Sequence, residues 1–393
     1  MENTVSIVNV VVKPGLSPVG KCVLVGLELS NGRTAWGECA HVPHLQSARQ
    51  IIQQQIAPLL QDQSPDTFIN LVAQVDGLTE TVTTTRIIQP VSESSASGAT
   101  LSRRRLITGL LTEDKPKTED VVEERPLSAA FRFGISQAIF NAVAISQNKT
   151  LLTVLLEAYD LPVPDTAVPL HVEANAPNMS LVQPVLPTAV ASIGYSVGST
   201  NYKLTFGNNA ERLQAHVRQM KEWLTAVASN TCPTIHLNIQ GGFSELYDND
   251  EGKILGALYG LEQTAKPYSL VVENVALGEV TAVIQILKTV QSYLQTRQMG
   301  VKLAAGYTLF SADELRVLGE ETAVQQIHLS PAQFGSICQT ISFILDCRER
   351  GIGVVVHGEG GVVDVVTAVA LSTQAHALSG PPDRLFNMLL TCL

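Results

Sequence analysis

The first eighty residues alternate apolar and polar positions in short runs that end at turn residues. The segments "SIVNVVVKPG", "GKCVLVGLELSNG" and "TAWGECA" predict three antiparallel strands, with a turn at residues 30–33 before the third. The following segment "SARQIIQQQIAPLL" places its isoleucines at helical spacing. We therefore predict a small α+β capping domain at residues 1–82.

From residue 125 the pattern changes to repeated pairs of an apolar strand and an amphipathic helix. The helix "PLSAAFRFGISQAIFNAVAISQ" lies in a connection at 125–160, and strand candidates such as "AVPLHVEA", "TIHLNIQG", "YSLVVENV" and "IGVVVHGEGG" follow within 161–393. A weaker strand candidate is "NYKLTFG". Strands joined by helices predict an α/β fold, most simply a (β/α) TIM-type barrel. An open doubly wound sheet is the alternative, although no Gly-rich phosphate fingerprint follows the first strand.

Residues 83–124 interrupt this pattern with a segment rich in Thr, Ser, Lys and Glu. Such a composition buries too little apolar surface to offset the entropy of ordering. We interpret the segment as a polar, flexible insert, with a short helix near "RRRLITGLL" as an option. It is also a candidate docking segment for a protein partner.

Composition narrows the class of protein. The 393 residues carry a net charge of −10, and the tightest basic cluster is Arg103–Arg105, so we expect no nucleic-acid partner. The six cysteines show no CxxC spacing, the N-terminus lacks a signal-peptide pattern, and we find no apolar run of membrane-spanning length. These features predict a cytoplasmic protein without a membrane anchor.

In a barrel the functional side chains lie at the C-terminal ends of the strands. The strand candidates place several polar residues there: His171, Glu173, Asn238, Gln240, Glu273, Tyr307, Gln326, His328, His357 and Glu359. His357 and Glu359 stand two residues apart, so both face one side of a strand, where a histidine base could be oriented by a carboxylate. His236 and His328 lie within strands and are expected to be packed core residues, while Gln326 and His328 remain candidate substrate contacts.

The order of these segments resembles the enolase superfamily, and methylaspartate ammonia-lyases in particular. "VLVGLELSNGRTAWGECA" is similar to the superfamily's capping domain, and "AVPLHVEA", "VLPTAV", "IHLNIQG" and "AKPYSLVVENV" are similar to the lyase barrel. The resemblance implies a capped barrel, a homodimer, and Mg²⁺ at three strand ends, where the ion would stabilise an enolate-like intermediate before ammonia leaves.

Carried over residue by residue, the resemblance fails at the chemistry. The three metal ligands fall on Asn238, Glu273 and Gly306, so only the middle carboxylate remains. The family's lysine base has no counterpart, because Lys302 is the last lysine of the chain. The second acid/base, a histidine, falls on Thr188, and a substrate-binding glutamine falls on Glu173. We expect a degenerate metal site and no cofactor, with Mg²⁺ only if the ancestral site is still used.

Three functions stay open on the sequence alone. The first is a lyase-like barrel without the ancestral activity, serving as a binding, scaffold or complex subunit. The second is an enzyme of the lyase or isomerase class with an altered acid/base site, built from His357, Glu359 and Tyr307, that acts on a small carboxylate. The third is an intact methylaspartate ammonia-lyase.

Overall fold

The computed structural model describes residues 5–17, 20–40, 45–87, 118–174, 190–199, 201–227, 232–358 and 363–380. The chain divides into two compact units. One unit is Gly77–Leu127, and the other contains Met1–Asp76 together with Ser128–Leu393.

The N-terminal cap is a three-stranded antiparallel sheet followed by helices. Its strands are β1 (Ile7–Ser17), β2 (Gly20–Leu29) and β3 (Thr34–Cys39). The helices are α1 (Leu45–Ile51), a π-helical turn (Ile52–Ile56), α2 (Ala57–Leu60) and α3 (Phe68–Asp76). The α+β cap predicted from the sequence is therefore confirmed.

Helix α4 (Ala129–Gln147) packs against β3 at very close range. A Cβ atom on Gly37 would lie 1.9 Å from the carbonyl oxygen of Gly134, so the two backbones meet where neither residue has a side chain. Although α4 is long and apolar enough to cross a membrane by composition, 61% of that stretch is buried in the protein. This degree of burial is typical of a helix in the core of a protein.

The larger part of this unit is a closed barrel of eight parallel strands, which confirms the TIM-type prediction. Its strands, in chain order, are β6 (Leu170–Glu173), β7 (Val190–Ser196), β8 (Thr234–Asn238), β9 (Leu270–Glu273), β10 (Lys302–Gly306), β11 (Gln326–Leu329), β12 (Gly353–His357) and β13 (Ala377–Ser379). The strands are almost wholly buried because the barrel interior and the outer helices cover both faces.

Helix α5 (Leu151–Ala158) precedes the first barrel strand, and the later helices connect successive strands. They are α6 (Tyr202–Phe206), α7 (Glu211–Val227), α8 (Gly242–Tyr247), α9 (Glu251–Ala265), α10 (Val280–Thr296), α11 (Ala312–Glu320), α12 (Pro331–Phe334), α13 (Ile337–Glu349) and α14 (Val363–Thr373). The strand suggested for "NYKLTFG" is wrong, because this segment is α6. The side chain of Asn201 caps that helix by accepting from the Leu204 amide, and Gly207 ends it at φ +82°.

The unit Gly77–Leu127 differs at both ends from the loop predicted there. Strands β4 (Thr79–Ile87) and β5 (Thr118–Pro126) pair in antiparallel register, with Thr79 opposite Pro126. Runs of Thr and Val favour strand over loop, because β-branched side chains suit the pleated backbone. The rest of the insert, including the option of a helix near "RRRLITGLL", lies outside the described residues.

Candidate functional site

A group of buried polar side chains fills the interior of the barrel toward the strand C-termini. Four of its members are histidines from different strands: His171 on β6, His236 on β8, His328 on β11 and His357 on β12. The ring centroid of His171 lies 5.0 Å from that of His236 and also from that of His328. The ring centroids of His236 and His328 are 4.3 Å apart. We call these four residues the histidine cluster. The expectation that His236 and His328 are buried within strands is confirmed.

On the β6–β7 side of the cluster, every ring nitrogen of His171 has a partner. Nδ1 lies 2.7 Å from Ser192 Oγ, and Nε2 lies 3.1 Å from Glu173 Oε1. Gly194 makes room for this pair, because a Cβ atom there would lie 2.6 Å from His171 Nε2. The Glu173 side chain is 35% exposed, so the carboxylate also faces solvent.

On the β8–β11 side, the carboxyl group of Glu273 is buried and contacts several polar side chains. Its Oε2 lies 2.7 Å from His236 Nε2 and 3.7 Å from His328 Nδ1. Its Oε1 accepts from the side-chain amides of Asn238 at 3.2 Å and Asn274 at 3.1 Å. Glu273 is therefore the hub that joins the strand tips to the histidine cluster.

The two glutamates differ in protonation. Burial, followed by the charge of Glu173, raises the pKa of Glu273 to about 8. Burial also opposes ionisation of Glu173, but its hydrogen bond with His171 and the nearby imidazoles outweigh burial and lower its pKa to about 2. Near neutral pH the metal-free barrel thus holds one anionic glutamate at its mouth and one neutral carboxylic acid inside.

Three histidines of the cluster, His236, His328 and His357, are held in their neutral form. Burial lowers the pKa of His236 to about 4 and that of His357 to about 3, and it brings that of His328 well below the usual value. His328 Nδ1 and His357 Nε2 share a hydrogen bond of 2.9 Å. Two ring nitrogens, His236 Nδ1 and His328 Nε2, are buried and have no hydrogen-bond partner among the described residues.

The amide of Asn238 is closed into a hydrogen-bond network. Its oxygen accepts from the Gln240 backbone amide and from Asn274 Nδ2, both at 3.1 Å. Its nitrogen donates to Glu273 and to the hydroxyl of Thr308 at 3.1 Å. Asn238 is therefore a positioning residue of the strand tips, and its oxygen is already engaged.

The structure brings together the three positions to which the resemblance assigns Mg²⁺, but their chemistry does not fit that ion. A Cβ atom on Gly306 would lie 1.8 Å from Glu273 Oε1, so the carboxylate of Glu273 fills the space where a side chain at residue 306 would begin. Mg²⁺ requires near-octahedral oxygen ligands and is usually held through carboxylates. Here one carboxylate and one engaged amide oxygen remain, and the neighbouring unpartnered atoms are nitrogens.

The other residues predicted for the site lie in different places. The ring of Tyr307 is 5.1 Å from that of His357, so these two meet at the barrel mouth. Gln326 does not join them, because it is the first residue of β11 and lines a cavity of about 670 Å³ at the N-terminal end of the barrel. Thr188 and Glu359 lie outside the described residues.

Four residues of this network were not predicted as site residues from the sequence. Ser192 and Gly194 lie on β7, a strand that was not predicted. Asn274 follows Glu273 in "VVENV", and its left-handed backbone, with φ of +59°, turns its side chain back toward the strand tips. Thr308 follows Gly306 by two residues in "LAAGYT". An amide directly after a strand-end acid is a signal that points to Asn274.

Comparison with known proteins decides the family. The family model for the methylaspartate ammonia-lyase C-terminus matches residues 185–384, about half of the chain. The chain belongs to the methylaspartate ammonia-lyase family. Methylaspartate ammonia-lyase 2 of Carboxydothermus hydrogenoformans is 23% identical over 378 residues, which cover 93% of this chain and 80% of that protein. The resemblance seen in the sequence is thus confirmed.

Solved structures agree with this family in fold. The Citrobacter amalonaticus methylaspartate ammonia-lyase containing (2S,3S)-3-methylaspartic acid superposes with a TM-score of 0.77 at 18% identity, over 98% of this chain and 97% of that one. The Mg-complex of β-methylaspartase from Clostridium tetanomorphum gives a TM-score of 0.75 at 17% identity, over 98% and 96%. At these identities the likeness supports the shared fold alone.

Proposed function

We propose that this member of the family has lost Mg²⁺-dependent ammonia elimination and acts as a ligand-binding or scaffold subunit. The observation that carries the proposal is the position of the Glu273 carboxylate, which occupies the space above Gly306 and is bonded to His236, Asn238 and Asn274. Elimination through an enolate-like intermediate requires a cation or fixed donors where negative charge develops. A neutral carboxylic acid held by amides does not supply that charge.

Proton abstraction also lacks a suitable base among the described residues. The last lysine of the chain, Lys302, is exposed at the start of β10, at the opposite end of the barrel from the strand tips. The pKa values of His236 and His357 are about 4 and about 3, far below the value near neutrality that suits a general base at physiological pH. Loss of a positioned base alone typically slows a reaction by a factor of about 10² to 10⁴.

An assay of ammonia release tests this proposal. The purified chain and the Citrobacter amalonaticus enzyme are incubated side by side with (2S,3S)-3-methylaspartic acid and excess Mg²⁺. We expect a rate at least about 10⁴-fold lower than that of the control enzyme, because both the base and the cation site are changed. A rate within tenfold of the control would contradict the proposal and favour an intact lyase.

The alternative of an altered acid/base enzyme has weaker support. His357 and Tyr307 meet at the barrel mouth, which is the right place for such chemistry. Against it, His357 is bonded to His328 and its pKa is near 3, so it is a weak base. The anionic Glu173 at the same mouth would also repel a small carboxylate substrate.

Three further parts of the proposal rest on the sequence and on the family resemblance. The insert at 83–124 is proposed to contact a protein partner, and its ends form the hairpin β4–β5 in a separate compact unit. A homodimer follows from the resemblance to the family. The cytoplasmic location follows from the sequence pattern.

A further inference from the structure

The geometry points to a divalent transition-metal site inside the barrel, for which we propose His236, Glu273 and His328 as ligands and Zn²⁺ as the representative ion. It differs from the family's magnesium position in two of its three ligands. It also goes beyond the proposed function, because the property measured is bound metal and not turnover.

The three side chains converge from strands β8, β9 and β11. A ring nitrogen of each histidine and one carboxylate oxygen of Glu273 lie within 4.8 Å of one another. Zinc bonds of about 2.0–2.2 Å in tetrahedral geometry separate neighbouring ligand atoms by about 3.3–3.5 Å. The distances from Glu273 Oε2 to His236 Nε2 and His328 Nδ1 are 2.7 and 3.7 Å, so small side-chain rotations suffice.

Hydrogen bonding within the histidine cluster is incomplete at the two proposed imidazole ligands. His236 Nδ1 and His328 Nε2 have no partner within the described parts of the chain, and their residues are only 1% exposed. Both ring nitrogens of His171, by contrast, are engaged. An ion between the rings and Glu273 would bind the opposite nitrogens, Nε2 of His236 and Nδ1 of His328, and each imidazole would then carry its proton on the unpartnered nitrogen. It would replace the hydrogen bond that His328 Nδ1 shares with His357 Nε2.

Charge balance supports the same conclusion. Glu273 is 2% exposed, and no Lys or Arg in the described parts of the chain forms an ion pair with it. A buried ionised carboxylate is unfavourable unless it is paired or coordinates a metal. A dication between Glu273 and the two imidazoles would take the place of the proton that Glu273 holds in the metal-free protein.

The donor set selects the class of ion. Two imidazole nitrogens and one carboxylate oxygen suit Zn²⁺ and similar first-row divalent ions, whereas Mg²⁺ and Ca²⁺ prefer oxygen ligands. Three protein ligands also leave a fourth coordination position for water or a small molecule.

The test is a metal titration of the full chain. The protein is stripped with a chelator, loaded with Zn²⁺ in the presence of a large excess of Mg²⁺, desalted and analysed for metal. We expect about one zinc per chain. The variants His236→Gln and His328→Gln should bind at least about 10-fold more weakly, because each removes a ligand. The variant His216→Gln is the matched control, since His216 lies on the outer helix α7 and contacts Tyr195. Its affinity should equal that of the wild type.

A spectroscopic measurement keeps the proposal testable if a core variant does not fold. X-ray absorption of the zinc-loaded wild-type chain should show two imidazoles and a light-atom ligand at the metal. The exposed Cys232 is a competing surface ligand, so Cys232→Ser is measured in parallel. The proposal is overturned by zinc content below about 0.1 per chain, by affinity unchanged in both histidine variants, or by a sulfur-containing coordination shell.

Discussion

The two sides of the barrel interior contain the same residue types, but they differ in how completely their hydrogen bonds are formed. On the β6–β7 side, Glu173 and His171 form a pair that is complete, because Ser192 takes the second ring nitrogen. On the β8–β11 side, Glu273 meets His236 and His328, and each of these rings keeps a buried nitrogen without a partner among the described residues. The first arrangement is satisfied by the protein alone, and the second is where we propose a metal ion.

The surroundings of Glu273 also differ in their donor atoms. Residue 306 is a glycine, and the Glu273 carboxylate occupies the space where a side chain at that position would begin. The neighbouring unpartnered atoms are nitrogens of His236 and His328, and the barrel around them is closed. The comparison between the two glutamates can be tested in three ways.

The largest effect is expected from removing each glutamate in turn from the metal-free protein. Glu273→Ala leaves His236 Nε2 and the side-chain amides of Asn238 and Asn274 buried without their hydrogen-bond partner, and each such loss costs about 1–3 kcal/mol. We therefore expect the free energy of unfolding to fall by about 3 kcal/mol or more. Urea denaturation in the presence of a chelator measures it.

Glu173→Ala is the matched comparison. Its partner His171 keeps the bond to Ser192, and the site is partly solvated, so we expect a loss of about 1 kcal/mol or less. Equal losses in the two variants would contradict the distinction between a buried hub and a solvated pair.

Much of the fold follows from the sequence, because apolar strands and amphipathic helices have separate periods. The barrel strands that carry Asn238, Glu273 and His357 were all predicted, as was the capping sheet. Strands β7 and β13 were not. The first, "VASIGYS", mixes Ser and Gly with apolar residues, and the second is three residues long. Neither resembles a buried strand until its neighbours in the barrel are known.

The site was less predictable, because its contacts depend on register between strands. The sequence places Asn238 and Glu273 at strand ends, and the structure pairs them directly across β8 and β9. For Gln326, however, the end of the strand was misjudged. Strand β11 begins at this residue, so its side chain lies at the N-terminal end of the barrel. The partners of His236 and His328 likewise depend on cross-strand geometry, which a single strand does not encode.

A second test uses pH, again on the metal-free protein. The pKa of Glu273 is about 8 in the folded state and about 4.5 in the unfolded chain, so between these values the folded state binds one proton more. Stability is therefore lost as pH rises through this range. The lowered pKa values of His236, His328 and His357 act in the opposite direction, because the unfolded histidines still release protons near pH 6.5 to 7.5. From pH 6.5 to 8 the titration of Glu273 alone lowers the free energy of unfolding by about 1.5 kcal/mol, and the histidines offset part of it, so we expect a net fall of about 0.5–1 kcal/mol.

Two variants assign this pH effect to its source. Glu273→Gln should remove the fall between pH 6.5 and 8, because it deletes the titrating group. Glu173→Gln should keep it in weaker form, because the charge of Glu173 is the second cause of the raised pKa of Glu273. Thermal unfolding at a series of pH values measures both. A fall that persists in Glu273→Gln would assign the titration to another group.

The smallest effect is expected at Thr308, where the amide network meets solvent. Its exposed hydroxyl accepts from the side-chain amides of Asn238 and Asn274, both at 3.1 Å. Thr308→Val removes this acceptor but keeps the shape, and water can replace part of the loss, so we expect a destabilisation of about 0.5 kcal/mol. Thr308→Ser, which keeps the hydroxyl, is the control. If Thr308→Val instead bound Mg²⁺, loss of the bond to Thr308 would be enough to free Asn238 as a metal ligand. The strand tips would then be able to form an oxygen-ligand site. We expect no such gain, because the Asn238 oxygen remains bonded to Gln240 and Asn274 in the variant.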